Sequence, residues 1–361
     1  MIDSKKVLDF REYLSGLKRR YNFLITDVHT HPLDVMGIVH FNDYDLVNTG
    51  SAGKENRALE PGFMEKMEFS PLANMISGVV SRLVPRAMIN DIKSSYDNIN
   101  EKEIIFKMEE SLVDQVAFLS LDPWVNPYQV KKVFNNNKFL LLGSIDLHDI
   151  KISDIEEAIF KQIKDLGIVG LKLHPNLQNF HPQPSDNPKE IGGKLKVLYK
   201  AAEKYGLYLH FHGGISHFTN RVNKNFSRPI SRSRTNALLK NFCFPDGSSE
   251  ILGKYNVPII IAHLGYYGQN KINRDLVKKI GQYDNVYFDT AAVSPGLIKD
   301  FFEIIKYNKI LLGSDAFYNQ SIFSMYLINE AIKKVYRNDE REEVLISVIS
   351  KNFLKIYGKN L

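Results

Sequence analysis

Apolar runs of strand length recur along the 361-residue chain, each followed by a polar loop and then by a segment of helical spacing. The runs are NFLITDVHTH (22–31), QVAFLSL (115–121), FLLLGSID (139–146), IVGLKLH (168–174), LYLHFH (207–212), PIIIAH (258–263), NVYFDT (285–290) and KILLGSD (309–315). Most are continuous rather than alternating, the pattern of parallel strands covered on both faces. Between them, ISDIEEAIFKQIKDLG (152–167) places Ile155, Ile159, Ile163 and Leu166 at helical spacing and stops at a glycine. KLKVLYKAAEKYG (194–206), RDLVKKIGQY (274–283) and PGLIKDFFEIIKY (295–307) behave in the same way, the last with proline near its start. Eight strands with intervening helices predict an α/β fold, a (β/α)8 TIM barrel forming one domain over residues 1–361. An open doubly wound sheet is the alternative, but no Gly-rich phosphate fingerprint follows a strand.

Two stretches exceed what a barrel needs. Residues 32–114 separate the first two strands and predict a helical insertion over the catalytic face, with PLANMISGVVSRLVPRAMINDI (71–92) as a helical segment. Phe41, Tyr44 and Phe63 in it are candidates either for an apolar lid or for packing the insertion onto the barrel. Residues 213–245, after the fifth strand, form a second insertion. The tail REEVLISVISKNFLKIYG (341–358) predicts terminal helices packed on the barrel, and residues 1–20 an amphipathic helix.

Composition narrows the function classes. Hydrophobic residues are 44% and charged residues 24%, ordinary for a globular protein. No apolar stretch approaches the ~20 residues that cross a bilayer, and the N-terminus lacks the apolar centre of a secretion signal. The single cysteine, Cys243, excludes an internal disulfide framework and a thiolate zinc knuckle. A cytoplasmic protein without membrane partners is expected. The net charge of +6 does not argue for nucleic acid, and no nucleic-acid module is recognisable. The charge is uneven, however: residues 213–245 lack Asp and Glu but carry Arg221, Arg228, Arg232 and Arg234. That segment reads either as a solvated or subunit-contacting loop, or as a positive rim for an anionic substrate.

Polar residues collect where the strands end. His29 and His31 close the first run, Lys172 and His174 the fourth, His210 and His212 the fifth, His263 the sixth and Asp315 the eighth. Side chains at i and i+2 share a strand face, so the members of each pair point the same way. In a parallel barrel all strand ends converge on one mouth, where active sites are built. Neutral imidazoles and a carboxylate are good ligands for zinc and its divalent neighbours, and such a metal acidifies a bound water. A lone histidine, one HxH pair or one aspartate after a glycine has a duller structural explanation; the ordered set at separate strand ends is what points to a metal.

The segments DVHTH (27–31), GIVGLKLHP (167–175), LYLHFHGG (207–214), IIIAHLG (259–265), ILLGSDAF (310–317) and KNFLKIYG (351–358) resemble the amidohydrolase superfamily. The resemblance is to the amidohydrolase-related branch that includes aminocarboxymuconate-semialdehyde decarboxylase-like proteins, and it spans nearly the whole chain outside the insertions. It implies metal ligation by His29, His31, His212 and Asp315. It implies catalytic roles for Asp315, which orients water or takes its proton, and for His263, an acid/base or polarising group. In some two-metal relatives a lysine at the position of Lys172 is carboxylated and bridges the ions, and in two-metal members the position of His263 becomes a ligand; one ion, with zinc the expected metal, is favoured over two. His174 is a candidate substrate contact, and His210, one layer deeper, a residue that orients a ligand or fills the core.

The expected function is hydrolysis of an amide, lactone or ester of a small organic substrate by a metal-activated water. The alternative is metal-dependent non-oxidative decarboxylation of a small carboxylic acid, with the arginines of 213–245 as a clamp. A homo-oligomer is compatible with either. A barrel that binds without catalysis is a third reading, disfavoured because a scaffold does not need convergent imidazoles.

Overall fold

The computed structural model describes residues 4–33, 96, 99–187, 189–215, 235–243, 249–269, 271–316 and 320–358. Eight parallel strands run in the order β1 (Thr26–Thr30), β2 (Gln115–Leu119), β3 (Phe139–Gly143), β4 (Gly170–Leu173), β5 (Tyr208–Phe211), β6 (Ile259–Ile261), β7 (Val286–Asp289) and β8 (Ile310–Leu311). Each pairs in parallel with the next. The ring closes where Val28 N donates to Leu312 O at 2.9 Å and Thr30 bridges Ala316. This is the (β/α)8 barrel that the apolar runs predict, with every expected strand in place.

The helices lie where amphipathic spacing and end signals put them. They are α1 (Ser4–Tyr21), α2 (Glu101–Glu110), α3 (Pro127–Val133), α4 (Ile155–Leu166), α5 (Ile191–Lys204), α6 (Glu250–Lys254), α7 (Arg274–Gly281), α8 (Pro295–Ile304), α9 (Ser321–Val335), α10 (Arg341–Ile346) and α11 (Asn352–Tyr357). Asn273 Oδ1 caps α7 and Ser294 Oγ caps α8, while Gly167 ends α4 in the left-handed region at φ 67°. Helix α5 starts three residues earlier than its apolar spacing predicts, because Gly192 and Gly193 lie inside its first turn. A Cβ on Gly192 would sit 2.8 Å from Ser185 Oγ, so the glycine permits a close approach there.

Two apolar layers divide the core. The larger fills the space between sheet and helices and includes Val116, Phe118, Leu171, Leu173 and Phe288. The smaller fills the barrel and holds Val28, Ala117, Leu119, Leu140, Leu142, Tyr208, Ile260 and Leu311 together with Phe353 and Ile356 of α11. One face of the C-terminal helix therefore packs against the barrel interior. Asn352 anchors it by donating to Tyr307 O and Ile310 O, each at 2.8 Å. The expected terminal helices 341–358 are present, interrupted by a π-helical turn over Ser347–Lys351.

Of the first insertion, the described part contains α2, capped by Asn100 Oδ1, ahead of β2. The helical segment expected at 71–92 and the aromatics Phe41, Tyr44 and Phe63 lie outside the described residues, as do Arg221, Arg228, Arg232 and Arg234. No helix among the described residues is long and apolar enough to cross a membrane.

Candidate metal centre and active site

The site begins with an irregularity in β1. Asp27 lies opposite Val116, whereas Thr30 lies opposite Phe118, so β1 carries one residue more than β2 over this stretch. Val116 and Phe118 face the outer core, and Val28 faces the barrel interior. The extra residue turns His29 inward as well, and His31 follows on the same face. Asp27 holds this bulge: its Oδ1 accepts from His29 N at 3.1 Å and from Ser314 N at 3.1 Å, and its Oδ2 accepts from Ser321 Oγ at 2.6 Å. Burial pushes the Asp27 carboxyl up to about 6 despite these bonds.

The end of β8 is laced to the same segment. Asp315 N donates to His29 O at 2.9 Å, and His31 N donates to Ala316 O. Asp315 itself has φ 68°, a left-handed conformation unusual outside glycine. The result is a compact triangle. His29 Nε2 and His31 Nε2 are 3.2 Å apart, and Asp315 Oδ1 is 3.5 Å from the first and 3.4 Å from the second. Ligands of one tetrahedral zinc, at bonds of about 2.0–2.1 Å, are separated by about 3.3–3.4 Å.

Proton bookkeeping supports the same reading. His29 Nδ1 lies 2.8 Å from Asp289 Oδ2, and a carboxylate can only accept, so His29 carries its proton on Nδ1 and a lone pair on Nε2. His263 Nδ1 lies 2.9 Å from Ala291 O, which likewise leaves a lone pair on His263 Nε2. That lone pair accepts from His212 Nδ1 at 3.2 Å, which leaves the lone pair of His212 on Nε2, a buried atom without a hydrogen-bond partner. The lone pair of His29 Nε2 thus faces His31 Nε2 and Asp315 Oδ1, an arrangement that a cation completes. One ligand atom each from His29, His263 and Asp315 lie within 4.8 Å of one another. A second such group, His29, His210 and Asp289, is a hydrogen-bonded set instead, because its contacts are 2.8 and 2.7 Å and involve His29 Nδ1.

Burial sets the charge states. It holds His29, His31, His174 and His212 well below the usual imidazole range, and His210 and His263 down to about 4. All six are neutral at pH 7, the form that metal binding requires. Burial pushes Asp315 up to about 7, with the Lys172 ammonium pulling the other way. Lys172 is 1% exposed, its Nζ has no hydrogen-bond partner, and burial lowers it to about 8. His174 is a wall of this space. Its ring stacks on His212 at 4.0 Å and 8°, and its Nδ1 accepts from Leu177 N at 3.2 Å.

The structure therefore gathers His29, His31, His212, His263 and Asp315, with Lys172 and His174 beside them. His210 lies deeper, as its spacing predicts, donating from Nε2 to Asp289 Oδ2 at 2.7 Å. The residue that sequence reasoning passed over is Asp289. It is fully buried at the end of β7. A polar residue closing an apolar run was the signal used for the other strands, and NVYFDT carries it too.

Residues 140–359 match the family described as amidohydrolase, and the chain belongs to that family. No curated protein matches the chain. Among solved structures, a uronate isomerase from Bacillus halodurans is similar, with 13% identity, coverage of 96% of this chain and 97% of that one, and a TM-score of 0.51. A 5-carboxyvanillate decarboxylase from Sphingomonas paucimobilis has 14% identity, coverage of 93% and 98%, and a TM-score of 0.49. A 4-oxalomesaconate hydratase from Rhodopseudomonas palustris has 14% identity, coverage of 93% and 96%, and a TM-score of 0.49. At these identities the likeness is one of fold, and one fold hosts many reactions.

Proposed function

We propose that the chain is a metal-dependent hydrolase acting on an amide, lactone or ester of a small substrate. The observation that carries this reading is the triangle of His29 Nε2, His31 Nε2 and Asp315 Oδ1, with edges of 3.2–3.5 Å. His29, His31, Asp315 and His212 would hold one divalent cation, zinc being the metal whose ligand spacing the triangle fits. A cation there supplies Lewis acidity and lowers the pKa of a water it binds. A second ion is disfavoured because Asp289, the other carboxylate beside His29, is already taken up by hydrogen bonds.

The chain's own groups divide the remaining work. Asp315, whose Oδ1 lies against His29 Nε2 and His31 Nε2, would orient the water and take its proton. His263 presents Nε2 to the same space and is the group to shuttle that proton to the leaving atom. Lys172 brings a positive charge without a hydrogen-bonded counterion, which favours a substrate with an anionic group or an oxyanion formed during reaction. That feature also supports the second reading, decarboxylation of a small carboxylic acid. In that second reading Arg221, Arg228, Arg232 and Arg234 would serve as a clamp for the anion, and removing them singly should raise KM for an anionic substrate.

The test combines metal analysis of protein purified without added metal with turnover of a panel of amides, lactones, esters and carboxylic acids in 18O-labelled water. Label in the product with one equivalent of metal supports hydrolysis. Release of carbon dioxide without label supports decarboxylation, and protein that neither contains nor takes up metal refutes both.

A further inference from the structure

Asp289 is the only carboxylate among the described residues that touches both the histidine layer beneath the site and the turn that carries His263. Its Oδ2 accepts from His29 Nδ1 at 2.8 Å and His210 Nε2 at 2.7 Å, and its Oδ1 accepts from His263 N at 2.8 Å and Ala291 N at 3.0 Å. We propose that Asp289 is the positioning residue of the metal centre, fixing the tautomer of His29 and the backbone of His263 through one carboxylate. This rests on the metal-site reading given above.

The geometry makes the assignment specific. Both acceptor atoms of a carboxylate are filled, so every one of the four contacts needs a hydrogen on nitrogen. His29 must carry its proton on Nδ1, and only then does Nε2 offer a lone pair toward His31 and Asp315. His263 and Leu264 have φ 56° and 52°, a left-handed pair that costs free energy unless its surroundings hold it. The bond from His263 N to Asp289 Oδ1 is such a hold. The carboxylate cannot drift either: a Cβ on Gly313 would lie 3.0 Å from Asp289 Cγ and 3.0 Å from His29 Cβ, so the backbone just after β8 closes tightly over the pair.

An amide in the same place is frustrated in either orientation. Pointed at the turn, its NH2 meets two backbone N–H groups that cannot change. Pointed at the imidazoles, it meets two N–H groups that can, by moving their protons. Asp289→Asn therefore drives His29 to the Nε2–H tautomer and removes its lone pair from the triangle. Orienting partners of this kind are worth about 10–100-fold in metal affinity.

The test measures zinc affinity by chelator competition and the visible bands of the cobalt(II)-loaded protein. Asp289→Asn should bind zinc 10–100-fold more weakly, with altered cobalt bands. His210→Gln, which keeps an N–H donor for Oδ2, should stay near wild type. Asp289→Asn with wild-type affinity and an unchanged cobalt spectrum overturns the proposal. Should Asp289→Asn fail to fold, 15N NMR of the metal-free wild type decides: a His29 proton on Nδ1 supports the assignment and a proton on Nε2 overturns it. Wild type that binds no zinc sinks the metal reading itself, a result distinct from any of these.

Discussion

Two aspartates stand on either side of His29, and their surroundings could hardly differ more. Asp289 receives four N–H hydrogen bonds and, although burial pushes its carboxyl up, the donated bonds and the adjacent imidazoles hold it well below the usual carboxylate range. Asp315 receives no N–H bond among the described residues; its nearest nitrogens are His29 Nε2 and His31 Nε2, at 3.5 and 3.4 Å, and burial pushes it up to about 7. The difference separates scaffold from reagent. A carboxylate with every lone pair filled is a fixed anion, useful for holding other groups still. A carboxylate left underbonded beside acceptors is poised to take a cation or a proton.

Changing the underbonded partner should have the largest effect. On the proposed reading Asp315→Asn removes the group that would bind the cation and accept the proton, and turnover should fall by about 10³-fold or more while the far-ultraviolet circular dichroism stays unchanged. Near-normal turnover would make the two aspartates equivalent and dissolve the contrast.

The deeper layer should reveal itself in acid. His210 is held at about 4 in the folded protein, against 6.5 for a free imidazole. Between those values the unfolded chain binds more protons, so folded stability falls as pH drops from 6.5 toward 4 and this contribution levels off below 4. The loss from this one residue is ~3 kcal/mol, read as a steeper decline in urea midpoint with acid than in His210→Gln.

Gly313 sits where the two layers touch. Gly313→Ala should destabilise the protein by about 2 kcal/mol, because the new methyl crowds Asp289 and His29, and should weaken zinc binding alongside. If stability falls but zinc affinity does not, the packing of Asp289 is not coupled to the ligand triangle.

Lys172 gives the smallest change and the opposite sign. Its Nζ is buried without a hydrogen-bond partner, so Lys172→Met should raise the stability of the metal-free protein by about 1 kcal/mol while lowering activity toward anionic substrates. Thermal melts beside kcat and KM check both halves.

What was legible in the chain is what local spacing encodes. Continuous apolar runs located all eight strands, and alternation placed His29 beside His31 and His210 beneath His212. The ends of the runs were misjudged where the backbone leaves regular geometry. The run 309–315 is strand only at Ile310–Leu311, because β8 then bends over Asp289 and carries Asp315 at a left-handed φ. The run 258–263 stops at Ile261, because His263 enters a left-handed turn.

Side-chain alternation says that His29 and His31 share a face, but not which face. That choice belongs to the bulge in β1, and the bulge is held by Asp27 reaching Ser314 and Ser321, residues that only barrel closure brings near. The part of Asp289 is of the same kind, since its four donors come from β1, β5, the turn after β6 and its own strand end. Periodicity along a chain records which side chains seek burial. Which buried polar groups satisfy one another is decided across strands, once the ring has closed and water has been excluded.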